Sequence, residues 1–414
     1  MNRPFIPFHR PSIGQEEIDE VIATLRSGWL TTGPRAERFE NEFKKYVRSP
    51  YALAVNSGTA ALHLALTALK IGPGDEVITS PLTFCATVNA ILHVGAKPVL
   101  ADIGEDGNID PDIAASCITD RTRALVPVHL GGLACDMEAL WLLARQSGLF
   151  VVEDAAHATG SHYKGVPIGA VCDGDRSDAV AYSFYATKNL TTGEGGMVTS
   201  HDASLADRMR ISCLHGISKD AWNRYGEHGN WYYEVTDCGF KYNLSDIQAA
   251  LGIHQLRKQE QLLETRSRYA GMYDEAFQDL DEVELPPRRS QTRHSWHLYA
   301  LRLNLDKLII NRDQFILELR KHGIGASVHF IPLPFHPFFA GLQVATKMSC
   351  PRAFNLYPRL VSLPLYPAMT QDEVLRVVEA VREIVGAARR ARSIYLACQV
   401  EASCDAPEQP NFSS

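Results

Sequence analysis

The chain has 414 residues, 45% of them hydrophobic, and a formal net charge of −7. That length suits two or three domains, and that charge leaves no electrostatic footprint for nucleic acid; the densest basic run, "ARRAR" near residue 390, reads as a solvated helix end. No run approaches the ~18 apolar residues of a membrane span, and "MNRPFIPFHRPSIG" lacks the apolar core of a signal peptide, so a cytoplasmic location without membrane contact is expected.

The first clear strand is "YALAV" (51–55), and it runs directly into "VNSGTAAL" (55–62), a strand, a tight turn and a helix start in eight residues. Gly58 lets the backbone approach a ligand, and Ser57 and Thr59 can cap the helix. The free N–H groups and the helix dipole then favour an anion such as phosphate, although such caps also begin helices that bind nothing. In the helix that follows, Leu62, Ala65, Leu66 and Leu69 share one face. "EVITS" (76–80) is the next strand and leads into "SPLTFCATVNA", where Phe84 belongs either to the core or flat against a ligand ring.

"KPVLA" (97–101), "RALVPV" (123–128) and "LFVVED" (149–154) continue the alternation of buried strands with helical segments. In "VVEDAAHATG" (151–160) Asp154 reads either as a helix N-cap or as a buried partner for a cationic ring nitrogen. After "AVAYS" (179–183), the stretch "SFYATKNLTTGEGG" sets Lys188 between a strand and a glycine-rich turn. On its own it is either a surface cation or an amine held for covalent chemistry. Strands alternating with helices predict an α/β fold with a mostly parallel sheet covered on both faces, its ligands beyond the carboxyl ends of the strands.

A long helical stretch follows over residues 244–277 and could connect two domains. Beyond it come the strand-like "SWHLYALRL", the helix "DQFILELRKHG", "ASVHF" and a last helix after "LPLYPAMTQDEV", a smaller α+β unit. The expected division is a large domain over residues 14–260, a small domain over 261–388 and a disordered tail over 389–414. The nine cysteines are scattered, with no C-x-x-C pair or zinc spacing, so reduced thiols and no metal site are expected.

An anion site, a carboxylate for a heterocyclic nitrogen and a lysine after a later strand are together what pyridoxal 5′-phosphate requires. Ser183 could add a hydroxyl to the phosphate.

The segments "SGWLTTGP", "NSGTAALHLAL", "GPGDEVITSPLTFCATVNA", "VEDAAHATGSHYKG", "SFYATKNLTTGEGG", "YNLSDIQAALGIHQL", "WHLYALRL" and "SLPLYP" run in order from about residue 5 to 385. In that order they resemble the DegT/DnrJ/EryC1/StrS family of pyridoxal-phosphate-dependent nucleotide-sugar aminotransferases, whose fold is that of aspartate aminotransferase. The resemblance implies that Lys188 forms the Schiff base, Asp154 pairs with the pyridine nitrogen and Phe84 stacks on the ring. It further implies that Gly58, Thr59 and Ser183 hold the phosphate and that His157 lies near the cofactor's face or phenolic oxygen. Asn243 would reach the phosphate from the neighbouring subunit of a homodimer with shared active sites. Lys188 must be neutral to attack, so its pKa should be lowered by burial and nearby cationic character.

Within the family, "FIPFHRPSIG", "HGISKDAWNR", "KYNLSDIQAA" and "GIGASVHFIPL" are most similar to UDP-4-amino-4-deoxy-L-arabinose aminotransferases. Members that aminate at C3 more often carry an arginine shortly after the asparagine, whereas here Leu244 and Ser245 follow Asn243. The resemblance therefore implies transfer from L-glutamate, yielding 2-oxoglutarate, to a 4-keto nucleotide sugar, UDP-linked in preference to dTDP or GDP. Phe84 stands where that subgroup commonly has tryptophan, and Tyr185 where it has histidine. Tyr185 and His329 are the substrate-side candidates. The competing classes are a 3-keto aminotransferase, a sugar dehydratase (whose members replace the lysine by histidine) and a sugar-nucleotide-binding protein without turnover.

Overall fold

The computed structural model describes residues 4–218, 232–342 and 349–390. Residues 391–414 of the expected tail, and part of "HGISKDAWNR", lie outside them.

All six strands expected between residues 50 and 190 form: β1 Tyr51–Val55, β2 Glu76–Thr79, β3 Lys97–Leu100, β4 Thr122–Val126, β5 Phe150–Asp154 and β6 Ala179–Ser183. A seventh, β7 Gly196–Ser200, was not expected. The sheet order is β1-β7-β6-β5-β4-β2-β3. β7 runs antiparallel to β1 and to β6, while the pairs among β6, β5, β4, β2 and β3 are parallel. Six strands thus point their carboxyl ends the same way. Their apolar runs, without in–out alternation, follow from cover on both faces. One face packs Phe39, Phe43, Tyr182 and Ile253, the other Leu62, Leu66, Val126 and Val198.

The long helical stretch is two helices, Asp246–Arg257 and Gln259–Phe277, broken at Lys258 (φ −98°, ψ 6°). Ser245 starts the first with a capping box, its side chain accepting from the Gln248 amide while Gln248 reaches back. The second helix brings Tyr269, Tyr273 and Phe277 into a separate core with Tyr299, Phe315, Val377 and Val381. That core covers a small antiparallel sheet of β8 Val283–Glu284, β9 Tyr299–Leu303 and β10 Leu360–Leu363. Of the strand-like residues 295–303 only the last five are strand. The preceding ones turn to bond the loop after β4, with Ser295 N–H to Gly132 O at 3.2 Å and Leu298 N–H to Gly131 O at 3.1 Å.

A further apolar cluster joins Leu82, Val88 and Leu100 of the large sheet's side to Leu333, Phe339 and Leu360 of the later chain. It holds residues 326–336 against the carboxyl ends of the parallel strands. Among the described residues no helix is long and apolar enough to cross a membrane.

The helices Pro34–Val47 and Asp246–Arg257 meet at Gly252, where an added Cβ would lie 2.7 Å from Phe39 Cζ. Alanine has the better helix propensity by about 1 kcal/mol, but overpacking a closed core costs about 1–3 kcal/mol. Gly252→Ala should therefore lower the denaturant midpoint; an unchanged or raised midpoint would show that Phe39 yields without cost.

Candidate active site

The carboxyl ends of the strands open into one cavity of about 300 Å³. Gly58, Thr59, Phe84, Asp154, His157, Ser183, Tyr185, Lys188 and His329 all line it. Asp154 is the last residue of β5 and Ser183 the last of β6, while β1 leads to Ser57 and Gly58. Gly58 and Ser183, 125 positions apart in sequence, meet because parallel strands end on one side.

At one end of the cavity stands the helix Gly58–Ala68. Ser57 caps it, its Oγ accepting from the Ala60 amide at 3.1 Å. Thr59 does not share that role; it lies inside the first turn and faces the cavity. The Gly58 and Thr59 amides find no acceptor among the described residues. A Cβ on Gly58 would sit 2.9 Å from Ser183 Cβ, so the helix start closes on the end of β6 only because residue 58 is glycine. Two free N–H groups at the positive end of a helix, beside a serine hydroxyl, form a seat for a phosphate.

Asp154 is buried, and no helix follows it to be capped. Its Oδ1 accepts from the Ala156 amide at 3.1 Å and its Oδ2 from Thr87 Oγ1 at 2.7 Å. Desolvation raises its pKa, against the pull of those hydrogen bonds and of Lys188. The strand end itself is fixed by Asp154 N–H to Pro127 O (2.8 Å) and His129 N–H to Asp154 O (3.2 Å). Behind it, His129 Nδ1 accepts from the Cys135 amide, so Nε2–H donates to Glu153 Oε2 at 2.7 Å in a fully buried pair.

Lys188 follows β6 in a turn closed by its own N–H to Tyr185 O at 2.8 Å. Asn189 pins the loop, donating to Ser295 O at 2.8 Å. Burial pushes the ammonium pKa of Lys188 down to about 8, and Asp154 opposes that shift. Cationic neighbours were expected to share in the lowering, but the first cause is desolvation and the charge acting on the lysine is the aspartate's.

His157 Nδ1 accepts from the Gly131 amide at 3.3 Å, which leaves the proton on Nε2. Its ring stacks on Phe330 (5.6 Å, 17°), and burial holds its pKa well below the ordinary value. His329 bonds Ser362 Oγ through Nδ1 at 2.9 Å and stacks on Phe8, and burial followed by the nearby Lys188 depresses it to about 4. Phe84 and Tyr185 are 59% and 46% exposed, so both stand at the mouth of the cavity.

Asn243 is not among the residues that line this chain's cavity. It pairs with Val55 and is held by Thr32 Oγ1 at 2.6 Å and Lys241 Nζ at 2.7 Å. Thr87, His297 and Phe330 went unrecognised in the sequence. Thr87 had a readable signal, for three residues after Phe84 on a helical turn it returns to the same side. His297 and Phe330 arrive from the later chain, and only tertiary packing brings them here.

The profile of the DegT/DnrJ/EryC1/StrS aminotransferase family matches residues 11–382. The spore coat polysaccharide biosynthesis protein SpsC of Bacillus subtilis is 51% identical over 383 residues, covering 92% of this chain and 97% of its own. The PLP form of Spr1654 from Streptococcus pneumoniae superposes with a TM-score of 0.85 at 33% identity, over 92% of this chain and 99% of that one. PseC of Helicobacter pylori, an aminotransferase involved in the biosynthesis of pseudoaminic acid, gives a TM-score of 0.84 at 30% identity, over 92% and 100%.

Trace acetylation of the cofactor-free protein at rising pH should show Lys188 becoming reactive around pH 8, against about 10.4 for an ordinary lysine. Since Asp154 favours the charged amine, Asp154→Asn should move that midpoint lower still. Titration in the ordinary lysine range would contradict the burial argument.

Proposed function

The chain belongs to the DegT/DnrJ/EryC1/StrS aminotransferase family, and on that premise we propose that it moves an amino group from L-glutamate to a 4-keto sugar on a nucleoside diphosphate, UDP in preference to dTDP or GDP. The observation that carries this reading is one cavity holding a lysine depressed to about 8, a buried aspartate and a helix N-terminus with two free amides.

The family uses pyridoxal phosphate, and the residues present fit it: the Gly58 cradle suits its phosphate, and Asp154, hydrogen-bonded on both oxygens, suits a ring nitrogen. When bound, the cofactor supplies a carbonyl carbon and an electron-accepting ring. The Gly58 and Thr59 amides and the Ser183 hydroxyl would hold the phosphate. Asp154 would keep the ring nitrogen protonated, Phe84 would face the ring, and His157 would offer its Nε2–H to the phenolic oxygen. Lys188 supplies a neutral amine near pH 8 and then takes and returns a proton at Nζ. Tyr185 at the mouth and His329 on the wall are the groups we assign to the sugar.

A diphosphate-linked substrate can bind through its remote anion and use that binding to align the ketone. The preference for C4 rests on position 245, where Ser245 is committed to its helix cap and Leu244 to the core, in place of the arginine frequent in C3 enzymes. Asn243 does not line its own chain's cavity, and the family resemblance implies that it serves the neighbouring subunit's phosphate, so we propose a cytoplasmic homodimer. The polysaccharide named for the Bacillus relative supports an amino sugar destined for a glycan.

Purified protein with glutamate and a panel of keto sugar nucleotides should release 2-oxoglutarate with the UDP-4-keto sugar. Asp154→Asn, which keeps the shape and removes the charge, should lower that rate by about 10²-fold or more. Turnover confined to 3-keto sugars would defeat the C4 assignment, and an undiminished Asp154→Asn would remove the aspartate's role.

A further inference from the structure

Behind Asp154 two hydroxyls stand in series. Thr87 Oγ1 lies 2.7 Å from Asp154 Oδ2, and Thr83 Oγ1 lies 2.8 Å from Thr87 Oγ1. Both threonines are buried, at 2% and 1% exposure for Thr83 and Thr87, although Thr83 also lines the cavity. We propose that Thr87, with Thr83 behind it, is a positioning residue that presents Asp154 to the cofactor's ring nitrogen as an oriented, charged carboxylate. This rests on the reading of Asp154 given above.

Counting protons gives the direction. Each hydroxyl has one to donate. With Asp154 ionised, Thr87 donates to Oδ2, Thr83 donates to Thr87, and the Ala156 amide covers Oδ1. With a proton on Oδ2, Thr87 must accept from the acid and send its own proton to Thr83 or to the longer contact at Phe84 O, 3.3 Å away. Both forms can make the two short contacts, but only in the charged form does every hydroxyl proton lie in one of them; in the acid form either the Thr83 proton is displaced from the chain or the Thr87 proton goes to the longer contact. Hydrogen bonds to a charged acceptor are the stronger kind, and in a buried chain each polarises the next.

The relay also joins two parts of the site. Thr83, Phe84 and Thr87 occupy one turn at the start of the helix Cys85–His93, with Phe84 as its N-cap. The residue at the ring's face and the hydroxyl that steers the carboxylate at its edge are therefore set by the same backbone. A purely structural alternative exists: Thr87 Oγ1 could serve only as a back-bond to Phe84 O within the helix.

The test separates these by the ring nitrogen. The full-length protein, freed of cofactor, is titrated with pyridoxal phosphate and with its analogue in which the ring nitrogen is replaced by CH. Thr87→Val, which keeps the branched shape, should weaken pyridoxal phosphate by about 10-fold and leave the analogue's affinity unchanged, while Thr87→Ser should restore most of the loss. Thr83→Val should show a smaller loss of the same selectivity, which keeps the inference exposed if Thr87→Val does not fold. Equal loss for both ligands, or loss for neither, overturns the relay. Asp154→Asn tells the two failures apart: if it weakens pyridoxal phosphate alone, only the relay is refuted, and if it does not discriminate, the reading of Asp154 falls and the relay with it.

Discussion

Desolvation governs this site, and the rest of the structure is arranged around it. An aspartate, a lysine and three histidines line one cavity, and burial disfavours the charged form of each. Lys188 falls to about 8, Asp154 rises, and His157 and His297 fall well below the ordinary histidine value. Such a cavity keeps an amine nucleophilic near neutral pH without a cationic neighbour. It also leaves the aspartate dependent on hydrogen bonds for its charge, which is why the atoms on Asp154 matter more than its distance from the lysine.

The sheet makes that environment possible. Because its parallel strands end on one side, β1, β5 and β6 deliver Gly58, Asp154 and Ser183 to a common floor, and the apolar cluster from Leu82 to Leu360 brings residues 326–336 over it. The open edge of the sheet is closed chemically. Glu40 accepts the Ala54 amide of β1 at 2.8 Å and Arg210 donates to Ala52 O at 3.1 Å, so an ion pair between a buried glutamate and a partly exposed arginine occupies groups that another strand would seek.

The strands were legible because their apolar runs were long and bounded by turns, and "NSGTAAL" carried its helix start in the serine and glycine themselves. β7 was not legible, since "GMVTS" opens on glycine and follows a glycine-rich turn, and its partners lie on both sides of it in space. The break at Lys258 was hidden for a related reason. Both flanking segments keep helical periodicity, and the bend is set by what each helix packs against. In the site, the residues assigned to the cofactor carried readable chemistry, whereas Thr87 and His297 hydrogen-bond to partners 67 and 108 positions away. Sequence spacing carries no information about such pairs. Gly252 is similar, an ordinary helical residue until Phe39 is seen against it.

The account stands on Lys188 as the amine that engages the cofactor. Borohydride fixation of the holoenzyme, followed by peptide mapping, measures this most directly. The account predicts a single pyridoxyl label on Lys188 and none after Lys188→Ala. A label on another lysine of the wild-type protein, or one that survives that substitution, would contradict it.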